Sequence, residues 1–173
     1  RTTVHLLREL DPGLVLHLGV YEPCAHLAPV PARLATRAAA VSALEAAARC
    51  PSLRRIVVRS ALDVYGRRRG SPTRPDETAP LDPTSAWGRS LAHVESVAGE
   101  AADAAGAALA VVRFAPIVGP SFPSPLGRYL RLPVVAVDPW SELPFSVVHQ
   151  EDAANALVQA GLYAGHRQRP QGL

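Results

Sequence analysis

The sequence predicts an α/β fold built on a doubly wound parallel sheet. Three observations carry this prediction: short apolar runs of strand length, longer alanine-rich segments with helical periodicity between them, and Pro- and Gly-rich breaks at the junctions. Strands that alternate with helices form parallel βαβ units, and ligands bind such sheets at the carboxyl ends of the strands. The loops after Val20, Arg59 and Phe114 are therefore the expected functional edge.

The first half of the chain supplies two helices and two strands. Thr3–Leu10 forms the end of a helix, because an Asp-Pro-Gly turn follows it. The apolar run at 14–20 predicts a strand that is buried on both faces. An alanine-rich helix is expected over 31–50 and a second strand over 53–59.

The second half continues the alternation after a polar stretch. Residues 60–85 are too rich in polar residues, Pro and Gly for regular structure. We expect one partial domain over residues 1–165, with no second domain and a frayed tail over 166–173. The elements expected in the second half are, in order, a helix at Ala86–Ala105, a strand at Ala108–Phe114, a loop at 116–125, a short helix at 126–132, a short strand at 133–137, an extended segment at 145–148, and a final helix that opens at 149–152 and runs to Tyr163.

Composition limits the chemistry. The 173 residues, of 18.3 kDa, are 48% hydrophobic and 19% charged, which supports a packed core. All 18 residues counted as Lys+Arg are arginines. The absence of lysine excludes Schiff-base chemistry on this chain and a phosphate-loop lysine. Methionine is absent too, even at position 1, so we expect the chain to be a fragment.

The net charge and the positions of the cysteines predict neither a nucleic-acid partner nor a metal site. The net charge is only +3, and the one basic run, at 67–69, is either a solvated loop or a phosphate contact. Cys24 and Cys50 form no metal-binding pattern, so no metal is expected. No secretory leader or membrane-length apolar run occurs, which predicts a soluble, cytoplasmic protein with no nucleic-acid or membrane partner.

Several sequence blocks occur in a characteristic order and carry a family resemblance. The chain resembles the extended short-chain dehydrogenase/reductases, the NAD-dependent epimerase/dehydratases of nucleotide sugars, over roughly residues 10–160. The blocks are LVLHLGV at 14–20, LEAAA at 44–48, RRIVVRSALDVYG at 54–66, ETAPLDPTSAWGRS at 77–90, RFAPIVGP at 113–120 and FSVVHQEDAANAL at 145–157.

The resemblance implies a Rossmann-like, NAD(P)-binding fold that is incomplete at its N-terminus. The family pattern begins with a strand and a glycine-rich turn for the cofactor pyrophosphate, and no such turn occurs here. The implied cofactor is NAD or NADP, and the implied ligand is a nucleotide sugar. The helices that carry Leu44 and Trp87 form the dimer interface in many members, so a homodimer or heterodimer is expected.

The family's catalytic set is a tyrosine, a lysine four residues later, and a serine or threonine. The lysine lowers the pKa of the tyrosine, which is otherwise near 10. Here the tyrosine position holds Trp87, the lysine position Leu91, and the serine position Ala61. The resemblance therefore implies a pseudoenzyme. Asp63, at a position that is a base in the dehydratase branch, is a weak catalytic candidate, and a loop cap is its alternative.

The cofactor-contact positions are partly kept. Leu18, Gly19 and Val20 match the strand end that passes close to the dinucleotide, and Gly19 permits that approach. Thr36 stands where the family often has asparagine, and Pro116 where many epimerases place a substrate-binding asparagine. Ser60 would supply a hydroxyl in a register shifted by one, and its alternative is a buried cap to the following turn.

The remaining polar candidates have structural alternatives. His17 is expected to be a satisfied core histidine and His149 to be architectural. A polar site formed by Glu22, Cys24 and His26 is an open alternative to an ordinary loop. Trp87 and Trp140 either stack on a ring or pack in the core. Two hypotheses follow: a degenerate epimerase/dehydratase that binds NAD(P), or a non-enzymatic partner or dinucleotide-responsive regulator.

Overall fold

The computed structural model describes residues 3–22, 28–68, 71, 74–122, 124–135 and 146–163. Its centre is a parallel sheet of three strands, β1 (Leu14–His17), β2 (Arg55–Ala61) and β3 (Ala108–Phe114), in the order β1-β2-β3. A second, two-stranded parallel sheet pairs β4 (Ile117–Val118) with β5 (Val148–His149). The helices are α1 (Thr3–Leu10), α2 (Pro29–Ala47), α3 (Ala86–Ala105), α4 (Pro125–Tyr129) and α5 (Gln150–Leu162), and a 3₁₀ turn covers Leu62–Tyr65.

Helices cover both faces of the central strand. Ile56 and Val58 are fully buried against α2 and α3, whereas Val57 is buried against Leu157 of α5. Neighbouring residues of a strand point to opposite faces, so the uninterrupted apolar run in β2 allows both faces of this strand to be buried. This packing fixes the strand ends and with them the position of the candidate site.

Local signals explain where α3 begins and ends. Ser85 accepts a hydrogen bond from the Gly88 backbone N at 2.8 Å and caps the first turn. Gly106 ends the helix in the left-handed conformation, with φ of 62°. The predicted bounds of α1, α3 and β3 agree with the structure.

Other boundaries differ from the sequence-based expectation. The strand expected over 14–20 ends at His17 and is not buried on both faces, because β1 lies at the edge of the described sheet and Leu16 is 37% exposed. Residues 116–125 are not all loop, because Ile117–Val118 pairs with β5. Residues 133–135 form no strand, and 136–137 and the expected tail lie outside the described residues. The remaining shifts are small: the helix expected over 31–50 spans Pro29–Ala47, the strand expected over 53–59 spans Arg55–Ala61, and the helix expected over 126–132 spans Pro125–Tyr129.

The described residues contain neither a membrane span nor a metal cluster. None of their helices is long and apolar enough to cross a bilayer. Within the same residues, no group of three or more His, Cys, Asp and Glu side chains is placed to hold a metal ion.

Candidate functional site

The carboxyl ends of the three central strands meet at one edge, where a cavity of about 200 Å³ opens. The 3₁₀ turn after β2, the first turn of α3 and the segment after β3 surround it. Its apolar wall includes Trp87, Phe114, Pro116, Ile117 and Leu126. Its charged lining consists of Glu22, Arg59, Asp63 and Arg67.

Glu22 and Arg59 form a nearly buried ion pair in this cavity. Arg59 Nη2 donates to Glu22 Oε2 at 2.5 Å, and the two side chains are 10% and 14% exposed for Arg59 and Glu22. The guanidinium carbon lies 5.4 Å from the centre of the Phe122 ring. Burial raises the pKa of the Glu22 carboxyl, and the charge of Arg59 opposes that rise.

One donor of this guanidinium has no acceptor. Arg59 Nε is buried and makes no hydrogen bond within the described part of the chain. Buried donors are almost always satisfied by protein, water or ligand. The guanidinium therefore keeps one buried N–H group for which the described residues supply no acceptor.

A second charged pair lies at the mouth of the cavity. Arg67 Nη2 is 3.6 Å from Asp63 Oδ1, one helical turn apart along the chain. Arg67 is well exposed, so this pair contributes little to stability. Asp63 thus lines the cavity, with its carboxylate facing a surface arginine, and its catalytic role stays a prediction.

The indole of Trp87 closes one side of the cavity. Its Nε1–H donates to the backbone carbonyl of Tyr21 at 2.8 Å, which ties α3 to the segment that leaves β1. The ring also packs against the small core cluster around Ala61, Val64 and Leu91. Trp87 therefore packs against the core, as one of the two sequence-based interpretations expects, and it also lines the cavity. Its stacking on a ring stays a prediction.

Leu91 lies beneath Trp87 and is only 1% exposed. Its neighbours Ala61, Val64 and Tyr65 are buried as well, so the surroundings are apolar. Arg89 gives no substitute cation, because its guanidinium donates to the exposed carbonyl of Thr84. The structure thus brings Ala61, Trp87 and Leu91 together, with no ionisable group among them.

Ser60 is turned away from the cavity. Its hydroxyl donates to Glu95 Oε1 at 2.5 Å, so it neither caps the following turn nor lines the site. Arg113 donates to the same carboxylate through Nε and Nη2, at 3.1 and 2.7 Å, and to the Tyr65 hydroxyl through Nη1 at 2.8 Å. The network fastens β2, β3, α3 and the 3₁₀ turn together.

The segment after β1 holds the other predicted cofactor positions. Thr36 accepts from Tyr21 N at 2.9 Å and donates to Ala32 O at 3.0 Å, which fixes this segment against α2. Among the described residues, a Cβ at Gly19 would contact only the His17 ring, at 3.6 Å, so this part of the chain leaves the backbone there open to an outside group. Leu18 is exposed, and Val20 packs against the cluster that contains Leu91.

The histidine predictions have mixed outcomes. His17 is buried as expected, but it is not satisfied, because its Nε2 has no partner among the described residues. Burial lowers its pKa, which favours the neutral ring. His149 precedes α5, and its ring Nδ1 accepts from Glu151 N at 3.4 Å, in keeping with an architectural role. Cys24, His26 and Trp140 lie outside the described residues.

Sequence reasoning missed Arg59, Glu95 and Arg113. Their positions in the hydrophobic pattern could have indicated them. Arg59 and Arg113 each interrupt an apolar strand. Glu95 lies between Leu91 and Ala98 on the inner face of α3. Charges at core positions require partners. Which partner each one finds depends on contacts across the fold, which the pattern does not specify.

The chain matches the model of a known protein family over most of its length. The model of the NAD dependent epimerase/dehydratase family matches residues 2–134. The chain belongs to the NAD-dependent epimerase/dehydratase family. Among curated proteins, no sequence matches this member significantly.

Solved structures of epimerases share the fold of this family member. The UDP-glucose 4-epimerase of Thermus thermophilus, in complex with NAD, has a TM-score of 0.71 at 22% identity, covering 93% of this chain and 57% of that one. The UDP-N-acetylglucosamine 4-epimerase of Methanobrevibacter ruminantium has a TM-score of 0.75 at 16% identity, covering 95% and 56%. The present chain thus spans little more than half of each.

Proposed function

We propose that this member binds a nicotinamide dinucleotide, NAD or NADP, and a nucleotide sugar, but does not catalyse the family's tyrosine-dependent hydride transfer. The observation that carries the proposal is the replacement of the tyrosine and lysine positions by Trp87 and Leu91 beside a retained cavity. The epimerase/dehydratase scaffold is kept while the proton-transfer groups are lost.

The chemistry of these side chains supports the loss of activity. Indole has no proton that dissociates near neutral pH, and the Trp87 N–H is already committed to the Tyr21 carbonyl. Leu91 supplies no charge in a buried apolar cluster. A phenol needs such a nearby cation to act as a base near pH 7.

The residues at the strand edge fit a bound dinucleotide. The backbone of Leu18, Gly19 and Val20 would pass along it, with Thr36 holding the segment in place. The free space at Gly19 is what a bound ligand would use. The dinucleotide, when bound, would supply a ring able to accept or give hydride.

Binding and turnover measured on the purified protein test the proposal. Calorimetric titration with NAD(H) is expected to show binding, and UDP- and dTDP-sugars are expected to give no hydride transfer. Trp87→Phe is expected to leave both results unchanged. Hydride transfer by the unaltered protein with any of these sugars would contradict the proposal, as would the absence of any dinucleotide binding.

The second candidate function is a non-enzymatic partner subunit or dinucleotide-responsive regulator. The favouring observation is the outer face of α2, where Val30 and Leu34 are exposed, Leu34 by 62%. Leu44 itself is fully buried and takes no part in such a face. Self-association without dinucleotide binding, measured by light scattering and calorimetry, would favour this role.

A further inference from the structure

Exposed apolar side chains and two arginines lie together in α4 and the residues that follow it. Leu130 is 59% exposed and Val134 is 81% exposed. An apolar surface that is bordered by charged groups is typical of a contact with a membrane or with another protein. We call this surface the α4 patch, and it consists of the exposed side chains of Arg128, Tyr129, Leu130, Arg131, Leu132 and Val134.

The α4 patch projects from a hydrogen-bonded helical backbone. The Ser124 hydroxyl accepts a hydrogen bond from Gly127 N at 2.9 Å and caps the first turn of α4. The coiling continues past the end of α4, because Leu132 N donates to the Tyr129 carbonyl at 3.1 Å. The side chains of the patch are therefore presented together on one short helical stretch.

Apolar and basic side chains lie on different sides of this stretch. Residues three or four positions apart are neighbours on the surface of a helix. Leu130 therefore lies next to Leu126, whereas Arg128 and Arg131 lie together on another side. Leu126 lines the cavity, but no residue of the α4 patch does, so the patch lies outside the candidate site. Helical segments with an apolar and a basic side bind at the surface of a bilayer.

The positive charge of the α4 patch is not neutralised by the described part of the chain. Neither Arg128 nor Arg131 forms an ion pair with a described residue. Arg131 Nη2 lies 3.4 Å from the carbonyl oxygens of Gly119 and Pro120, which carry no net charge. Residues 104–137 contain three arginines and neither Asp nor Glu. The patch therefore complements a surface that is both anionic and apolar.

We propose that the α4 patch docks the protein on the surface of an anionic phospholipid bilayer. Its apolar side chains enter the interface, where tyrosine is also favoured, and its two guanidinium groups bind lipid phosphates. A bilayer accepts projecting apolar side chains without a matching groove. This favours a lipid surface over an acidic polypeptide, whose anchor side chains need a pocket.

The contact is peripheral. The described helices include none that could span a bilayer, and a peripheral contact needs none. The sequence-based expectation of no membrane partner considered only membrane-length apolar runs, so the docking proposal goes beyond it. Docking does not depend on the proposed binding of a dinucleotide.

Co-sedimentation of the purified protein with lipid vesicles tests the proposal. The anionic probe is phosphatidylcholine with about 30% phosphatidylserine, and the neutral probe is phosphatidylcholine alone. Each arginine near an anionic surface contributes about 1 kcal/mol, which corresponds to about fivefold in affinity. Binding to the anionic vesicles is therefore expected to be about 25-fold tighter than to the neutral ones. About 0.5 M sodium chloride is expected to remove most of this difference by screening.

Paired arginine variants separate the patch from the net charge of the protein. The double variant Arg128→Gln/Arg131→Gln is expected to weaken binding to the anionic vesicles about 25-fold. The matched control is Arg8→Gln/Arg49→Gln, which removes the same charge at exposed positions in α1 and just after α2. It is expected to change the affinity by no more than about twofold, because charges away from the lipid contact are screened.

A second pair of variants tests the apolar contribution. Leu130→Ser removes an apolar side chain from the patch and is expected to weaken binding about tenfold, the effect of burying much of one leucine. Leu162→Ser is the matched control, because Leu162 is exposed to a similar degree at the end of α5. It is expected to leave vesicle binding unchanged.

Several results would overturn the docking proposal. These are no binding to anionic vesicles, or equal losses in a patch variant and its matched control. Binding of a polyglutamate peptide without vesicle binding would assign an acidic polypeptide instead. Self-association that Leu130→Ser abolishes, again without vesicle binding, would assign a second copy of the chain. Thermal unfolding shows that each variant keeps its fold, which is expected because all the substituted side chains are exposed.

Discussion

At the scale of single residues, the Glu95–Arg113 pair lies on the face of the sheet that is turned away from the cavity. Ser60 and Arg113 are register partners in β2 and β3, while their chain neighbours Arg59 and Phe114 line the cavity. Adjacent residues of a strand point to opposite faces. The Glu22–Arg59 pair and the Glu95–Arg113 pair therefore form two separate charged systems next to each other. The Glu95–Arg113 system is satisfied by internal partners, whereas Arg59 Nε in the other has no partner in the described part of the chain.

Arg113→Met is expected to destabilise the protein strongly. It leaves the Glu95 carboxylate buried with Ser60 as its remaining partner, and breaking a buried pair this way costs about 3–5 kcal/mol. Urea unfolding followed by circular dichroism measures the change. Arg54→Met, at an exposed arginine that donates to the backbone carbonyls of Pro51 and Leu53, serves as the control with a change of at most about 0.5 kcal/mol. A loss below about 1 kcal/mol in Arg113→Met would contradict this account.

His17 is expected to make stability sensitive to mild acid. Burial lowers its folded-state pKa below the reference value of 6.5, so the unfolded state binds the proton more readily. The contribution of His17 to the free energy of unfolding is therefore fully present above pH 6.5. It is lost as the pH drops towards the pKa of His17 in the folded protein. His17→Phe removes this group, and unfolding curves collected between pH 7.5 and 5 are expected to show a shallower decline. Equal slopes in the two proteins would show that His17 does not titrate this way.

At the scale of elements, α3 is the part that connects the core to the site. Its capped first turn sets the position of Trp87, and its inner face carries Leu91 and Glu95. The 3₁₀ turn packs closely on this helix, since a Cβ at Gly88 would lie 2.5 Å from the Asp63 carbonyl oxygen. Small changes at this contact are therefore transmitted to Asp63 at the mouth of the cavity.

Two glycine substitutions in α3 are expected to have opposite effects. Gly88→Ala forces Asp63 to move and is expected to lower the unfolding free energy by about 1–3 kcal/mol. Gly99→Ala meets nothing within 4 Å and improves helix propensity, so a gain of about 0.5–1 kcal/mol is expected. Thermal denaturation of the pair measures both. A stabilised Gly88→Ala would refute the close contact.

Element prediction worked best where the signal is local. α3 and β3 have turn or cap signals near both ends, and α1 has an Asp-Pro-Gly turn after its last residue; the predicted bounds of all three agree with the structure. β1 was predicted too long and too buried, because the apolar character of residues 14–20 continues past the last paired residue, His17. β4 escaped prediction, since it is two residues long and only its pairing with β5 defines it. The extended segment expected at 145–148 overlaps β5 at Val148.

At the scale of the whole molecule, β2 is the organising strand. It lies between β1 and β3 and is covered by α2 and α3 on one face and by α5 on the other. β4 and β5 are joined by a short ladder and lie outside the main sheet. The central strand β2 is thus the most tightly packed part of the molecule. The β4–β5 ladder is held by fewer contacts, and it includes Ile117, which lines the cavity.

Native-state hydrogen exchange is expected to follow this gradient. The amides of Val57 and Val58 are predicted to exchange only through global unfolding, whereas that of Val148 exchanges through local opening. Exchange measured by NMR in increasing denaturant separates the two routes. Similar opening free energies for β2 and β5 would contradict the prediction.

The sequence by itself determined the order of the elements, the family and the absence of a Tyr–Lys pair, because those are properties of local pattern and residue identity. Only the tertiary structure decided that Arg59 meets Glu22, that Ser60 meets Glu95, and that one buried guanidinium donor has no partner among the described residues. The physical reason is that each contact joins residues from different elements, 37 and 35 positions apart for the two pairs. Packing on opposite faces of β2, rather than the residue types alone, chooses between such partners.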